Sequence, residues 1–241
     1  MWSGEADATT VQVAADAPDR AGAAGPSYGA GGPVTARGKR TRAALVTAAR
    51  EIFERDGFGD ARITDIADRA GVSHGTFYTY FTSKEGVFRV VADMTVGEIF
   101  TATRLGPETG DDPVSRVQAS IRLYLNAYRT HAKIIMVLEE VSSRDDHFRR
   151  LWVDLRQVFA DRAAARIEHL QRDGLADPRL APATAALALG GMVEHFAHVW
   201  LALDQAFDED HVVATLTRLW GQAIGLEVPD AIPPCESRRR K

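Results

Sequence analysis

One run of residues, Ile63 to Glu85, limits what this chain can fold into more than any other. Ile63, Ile66, Ala67 and Ala70 recur at i, i+3, i+4 and i+7, which places them on one face of a short helix. Gly71 follows at once, where a left-handed residue closes a helix without a Cβ clash. Val72 turns back toward the core, and Ser73 is placed to cap a second helix by accepting an orphan backbone N–H. Phe77 and Phe81 share the inner face of that second helix, which leaves His74, Gly75, Thr76, Tyr78, Thr79 and Tyr80 facing elsewhere. A helix this short with so much hydrogen-bonding chemistry outside is built to touch something. The pattern predicts a helix-turn-helix whose second helix reads DNA.

The residues upstream fit that reading. A first helix is expected over about 40–56, with Leu45, Ala48, Ala49, Ile52 and Phe53 as its buried stripe and Gly57 as its stop. Between Arg37 and Arg55 stand six cations against two anions, a local net of +4 in a chain whose total is −4. That local excess is where phosphates would be neutralised. Arg62 stands where a helix cap is expected and its side chain cannot serve as one, so the start of the second helix is left open. Residues 1–36, rich in Ala, Gly, Pro and Asp, cannot bury enough surface to offset their ordering entropy and read as a disordered tail.

The run Asp65-Ile66-Ala67-x-x-Ala70-Gly71-Val72-Ser73-x-Gly75-Thr76-Phe77-Tyr78-x-Tyr80-Phe81-x-Ser83-Lys84-Glu85 closely resembles the N-terminal domain of TetR-family transcriptional regulators. The match extends over roughly Arg40 to Val91. The resemblance implies a DNA-binding head at 37–83, with Lys39, Arg40, Arg42, Thr64, Ser73, His74, Gly75, Thr76, Tyr78, Thr79, Tyr80 and Lys84 at the nucleic acid. Within it, Tyr78, Tyr80 and Lys84 would meet phosphate or sugar, and the Thr79 methyl a thymine methyl. It further implies a homodimer on a palindromic operator, acting as a repressor that a ligand releases.

Beyond the head every segment reads as helix and none alternates like a strand, so the fold class is all-α. Helices are expected at about 84–102, 113–129, 131–142, 145–173, 182–205 and 209–224, nine in total, the number the resemblance implies. On the first of these, Val87, Val90, Val91 and Met94 are expected inside. Region 84–226 is expected to bind an effector and to dimerise, and 227–241 to form a flexible tail. Leu187, Gly190, Gly191, Val193, Phe196, Trp200, Val212, Val213, Leu216, Leu219 and Trp220 exceed what one core contact needs. The last two helices are therefore expected to build a two-fold four-helix interface. By the resemblance, Tyr124, Tyr128, Ile135, Leu138, Trp152, Phe159, Met192, His195 and Phe196 lie on helices around an effector pocket, and their character implies a largely apolar molecule.

Catalytic and metal chemistry finds no support. Glu194-His195-x-x-His198 puts His195 and His198 at i and i+3 but forms no HExxH and has no cysteine set beside it, the adjacent acids Glu139-Glu140 and Asp145-Asp146 splay apart on a helix, and no phosphate loop or nucleophile elbow occurs. Cys235 alone forms no disulfide framework. No apolar run spans a bilayer and no leader pattern is seen, so a cytoplasmic protein without cofactor or metal is expected. The alternative is a helical ligand- or protein-binding module without sequence-specific DNA binding.

Overall fold

Thr35 Oγ1 accepts the Gly38 N–H at 3.1 Å and caps α1 (Ala36–Asp60). The structure, a computed structural model, describes residues 35–106, 109–202 and 205–230. Of the tail expected at 1–36, residues 1–34 lie outside the described residues, while Thr35 and Ala36 belong to the cap and first turn of α1. Gly57, the expected stop, instead kinks α1 with φ 74° and ψ −177°, and the chain stays helical for one further stretch to Asp60.

The head closes with α2 (Ile63–Arg69) and α3 (His74–Tyr80). Arg62 occupies the cap position of α2 without a side-chain hydrogen bond, which settles its start at Ile63. Gly71 takes φ 68° in the turn, the left-handed region that a Cβ disfavours. Ser73 Oγ accepts the Thr76 N–H at 3.2 Å and caps α3. Leu45, Phe53, Ile66 and Phe77 are fully buried where these helices meet.

α4 (Lys84–Ala102) starts on a Ser83 cap and packs against α1 and the long α5 (Pro113–Ser142). Val87, Val90 and Val91 are buried as expected, whereas Met94 is exposed. The expected break near residue 130 is absent. No Gly or Pro stands between Tyr128 and Ile134, and α5 runs on for 30 residues, about 45 Å at 1.5 Å per residue. α6 (Asp146–Arg172) returns antiparallel beside α5, capped by Asp145. α7 (Pro182–Ala197) lies along α6, then widens into a π-helical turn at His198–Ala202. α8 (Glu209–Ala223) packs on α5, held by Arg122 to Glu209 and Asp210 and by Arg129 to Glu209 at 2.9 Å. There are thus eight α-helices among the described residues, one fewer than expected because two expected helices are one.

Two other expectations shift. Residues 227–230, expected to begin a flexible tail, fold back onto α8, where Arg218 Nη2 donates to the carbonyls of Pro229 and Asp230 at 2.8 and 2.7 Å. Residues 231–241 lie outside the described residues. The helix expected over 182–205 is α-helical only to Ala197.

Candidate nucleic-acid interface and effector cavity

The seven residues of α3 divide by burial. Phe77 is fully enclosed and, with Phe81, anchors the helix to the head. Ser73, His74, Gly75, Tyr78 and Thr79 are exposed, and Thr76 and Tyr80 are half-buried. The His74 ring stands edge-on to Tyr78 at 5.1 Å, and the Thr76 and Ser73 hydroxyls share a hydrogen bond of 2.8 Å. Tyr80 packs partly on the core. Thr64 is exposed at the start of α2, its hydroxyl 3.4 Å from the Asp65 carboxylate.

The cations of α1 separate into two groups. Arg37, Lys39 and Arg40 are exposed on its first turns, and the Arg42 guanidinium lies 5.3 Å over the Phe81 ring. Arg50 and Arg55 are answered within the protein. Arg55 pairs with Asp56, and Arg50 donates to Glu54 at 2.9 Å, to Glu98 of α4 at 2.8 Å and to His131 Nδ1 of α5 at 2.8 Å. Since an arginine only donates, His131 Nδ1 is the acceptor. Burial, together with the neighbouring Arg50 charge, pushes the His131 imidazole below its usual pKa. An Arg69–Glu51 ion pair ties α2 to α1.

Lys84 departs from expectation. Its ammonium does not face outward; it donates to the carbonyls of Phe58 (2.6 Å), Gly59 (3.1 Å) and Ala61 (3.0 Å) and lies 4.7 Å from the Phe58 ring centroid. All three N–H donors of the ammonium are thereby engaged. Lys84 fastens the start of α4 to the loop that carries α2 and α3. The sequence shows a cation at a helix start, but only the fold brings three carbonyls to it.

A cavity of about 1090 Å³ opens between α4, α5, α6 and α7. Of the expected residues, Tyr124, Tyr128, Ile135, Trp152, Phe159 and His195 line it. Leu138, Met192 and Phe196 do not: Leu138 is buried in the core, Met192 packs against it, and Phe196 packs with Trp200 and Phe207. The lining is also more polar than expected, with Arg104, Arg116, Arg156, Arg162 and Arg166 against Glu139 and Glu194. Arg156 and Glu194 are joined at 2.5 Å, and Tyr128 Oη and His198 Nδ1 approach to 3.3 Å with Glu139 beside them at 3.6 Å. Glu194 and His198, weighed as metal ligands, thus have other partners. Burial raises the pKa of Glu139 and of the Tyr124 and Tyr128 phenols. These polar groups were missed because a charge on a helix face reads by default as solvated.

Comparison with known proteins accounts for both halves. Residues 45–91 match the family model of bacterial regulatory proteins of the tetR family, and residues 117–225 match that of the C-terminal domain of the transcriptional regulator EthR. The HTH-type transcriptional regulator EthR of Mycolicibacterium smegmatis is 28% identical over 200 residues, which cover 79% of this chain and 92% of that protein. The HTH-type transcriptional activator FasR of the same organism is 26% identical over 183 residues, covering 75% and 81%. A transcriptional regulator from Saccharomonospora viridis, solved in complex with choline, has the same fold, with a TM-score of 0.66 at 20% identity over 75% of this chain and 95% of that one. No helix among the described residues is long and apolar enough to cross a membrane. Head and core are matched in one chain and in the same order, and the protein accordingly belongs to the TetR family of DNA-binding transcriptional regulators and is not an enzyme.

Proposed function

We propose that two copies of this chain pair through α7 and α8 and set their α3 helices into successive major grooves of a palindromic operator, repressing transcription until a small molecule enters the cavity. The observation that carries the DNA reading is the outer face of α3, where His74, Gly75, Tyr78 and Thr79 are exposed on a helix anchored by Phe77. In this reading Ser73, His74, Thr76 and Thr79 meet base edges or nearby phosphates, and Gly75 lets the backbone approach. Tyr78, Tyr80 and Thr64 contact the sugar-phosphate chain, and Lys39, Arg40 and Arg42 add phosphate contacts. Half-sites then lie about 34–36 Å apart, one helical turn.

Support for the pairing comes from apolar surface that one chain leaves uncovered. Leu187 on α7 is 60% exposed and Leu219 on α8 is 48% exposed. Ala188 and Gly191 beside Leu187 are exposed too, and their small size lets a partner helix approach closely. Residues 36–83 form the head in this reading and 84–230 the dimerising, effector-binding core, acting in the cytoplasm.

The test is selection of bound sequences from a random DNA pool by the full chain, followed by gel-shift titration of the Tyr78→Ala variant. The expected outcome is an enriched inverted repeat and at least a fivefold loss of affinity with the dimer intact. Unenriched DNA, or unchanged affinity in the variant, refutes the assignment. Repression predicts that the selected sequence, placed across a promoter, lowers transcription in vitro when the protein is added.

A further inference from the structure

We propose that the effector is an amphipath with an anionic head, held by Arg104, Arg116, Arg162 and Arg166 at one end of the cavity while its apolar tail lies along Phe159, Tyr124 and Trp152. This rests on the cavity's being the effector site.

The observation behind it is an imbalance between the two ends. At the inner end each acid has a basic neighbour, Arg156 at 2.5 Å for Glu194 and His198 at 3.6 Å for Glu139. At the other end Arg104, just past α4, Arg116 of α5 and Arg162 and Arg166 of α6 contribute four guanidinium groups, and none forms an ion pair with a carboxylate among the described residues. Arg116 Nη1 donates to the Gly110 carbonyl at 2.9 Å, but its buried Nε has no hydrogen-bond partner among the described residues. Arg162 lies over the Phe100 and Phe159 rings, at 5.3 and 5.9 Å, with its charge facing that of Arg104. Burial first, and then Arg104, push the Arg162 pKa down. Cations gathered against one another on an apolar wall raise the free energy of the empty site, and an anion between them lowers it.

The dimensions and chemistry of the wall select the rest of the molecule. From Arg162 to Trp152, α6 rises about 15 Å at 1.5 Å per residue, a span that holds an extended decyl tail. Ring faces and aliphatic carbons along it offer such a tail no hydrogen bonds. A cationic head is disfavoured because both acids at the inner end are already answered.

Carboxylate and phosphate heads share this chemistry, and calorimetric titration of the full-length protein separates them. Decanoate, decyl phosphate, decanol and decyltrimethylammonium are compared below their micellar concentrations, with operator release recorded in parallel. The expected result is that decanoate or decyl phosphate binds at least tenfold more tightly than the neutral and cationic analogues; the tighter of the two identifies the head. In the Arg104→Gln/Arg162→Gln variant that preference should shrink at least tenfold while decanol binding stays unchanged. Equal affinity for all four, a preference for the ammonium, or an anion preference that survives the double substitution overturns the anionic-head site and leaves an apolar effector cavity standing. Binding of none of the four overturns both. Anion binding that leaves DNA affinity unaltered supports the head-group site and refutes the effector reading.

Discussion

Replacing Lys84 by Met separates two roles that one cation at the start of α4 can play. Met keeps an unbranched stem against the Phe58 ring and removes the charge. In the structure the ammonium donates to the Phe58, Gly59 and Ala61 carbonyls, of which the first and last are partly buried and the Gly59 group faces solvent. Water can take over at Gly59, so the loss is concentrated at two carbonyls. Hydrogen bonds to a charged donor contribute about 1.5–3 kcal/mol net, and the shared ammonium keeps the sum near about 2 kcal/mol. For a chain of this size that lowers the melting temperature by roughly 4–8 °C. Because Lys84 fixes the loop that carries α2 and α3, operator affinity should fall as well. Its salt dependence should stay the same, because no phosphate contact is lost. A lysine on a phosphate behaves oppositely: its removal from both subunits of an operator-bound dimer lowers the slope of log K against log salt by about 1.8, or about 0.9 per contact, and leaves thermal stability nearly unchanged. Thermal denaturation and gel shifts at four salt concentrations distinguish the two. An unaltered melting temperature with a slope reduced by that amount would show that our placement of this side chain does not describe the DNA-bound protein.

Phe88 is fully buried and meets Phe53, Phe58 and Phe148 at centroid distances of 4.9, 5.2 and 4.9 Å. Phe88→Ala should cost about 3–5 kcal/mol in urea unfolding, and a loss below about 1 kcal/mol would mean that this junction is not packed as described. His131 has a folded pKa below its unfolded value of about 6.5, so its contribution is complete above that pH and is lost as pH falls below it. Between pH 7 and 5 the wild type should therefore lose more stability than His131→Gln, and equal losses would remove His131 as the cause. Leu187→Glu combined with Leu219→Glu should convert the dimer to monomer in light scattering while preserving the helical circular-dichroism signal; a persisting dimer would place the interface elsewhere.

Local physics was readable from residues wherever one short rule decided the outcome. The i, i+3, i+4 spacing located α2, Ser73 capped the helix that follows it, and Gly71 took its left-handed turn. Reading failed where composition imitated a boundary. Arg129-Thr130-His131 between two apolar runs resembled a connection, yet none of the three stops a helix, and His131 proved to be a buried acceptor. Thr35 was lost as a cap within a stretch of small residues. In the cavity the aromatic residues followed from the resemblance, which implies the helices that surround the pocket. The arginines did not, since only the meeting of α5, α6 and the segment just past α4 brings them to one charged end. Leu138, Met192 and Phe196 show the converse error: residues on the right helices, but with Leu138 in the core, Met192 packed against it and Phe196 against Trp200 and Phe207.

For occupancy of the cavity to alter DNA affinity, it must favour one of two arrangements of the head; tight binding to both arrangements shifts nothing. Helix α4 is the element that both sites share. Ile99, Thr103 and Arg104, on or just beyond its last turn, reach the cavity, while Lys84 and Phe88 on its first two turns hold the head. Nineteen residues separate these ends by about 28 Å, and a helix transmits tilt over that distance more readily than compression. The head is also tied to the C-terminal part of the lever by Arg50 to Glu98 and to α5 by Arg50 to His131, so tilt that moves Lys84 must strain or repartner this node. Swinging such an equilibrium from 1:99 to 99:1 takes about 5.5 kcal/mol of differential affinity. Van der Waals contact with an apolar wall that is similar in both arrangements supplies little of it. A head group drawing Arg104, two residues past the end of α4, toward Arg162 of α6 would instead make its binding energy depend on where that end of α4 sits, and so discriminate between arrangements in which α4 is tilted differently.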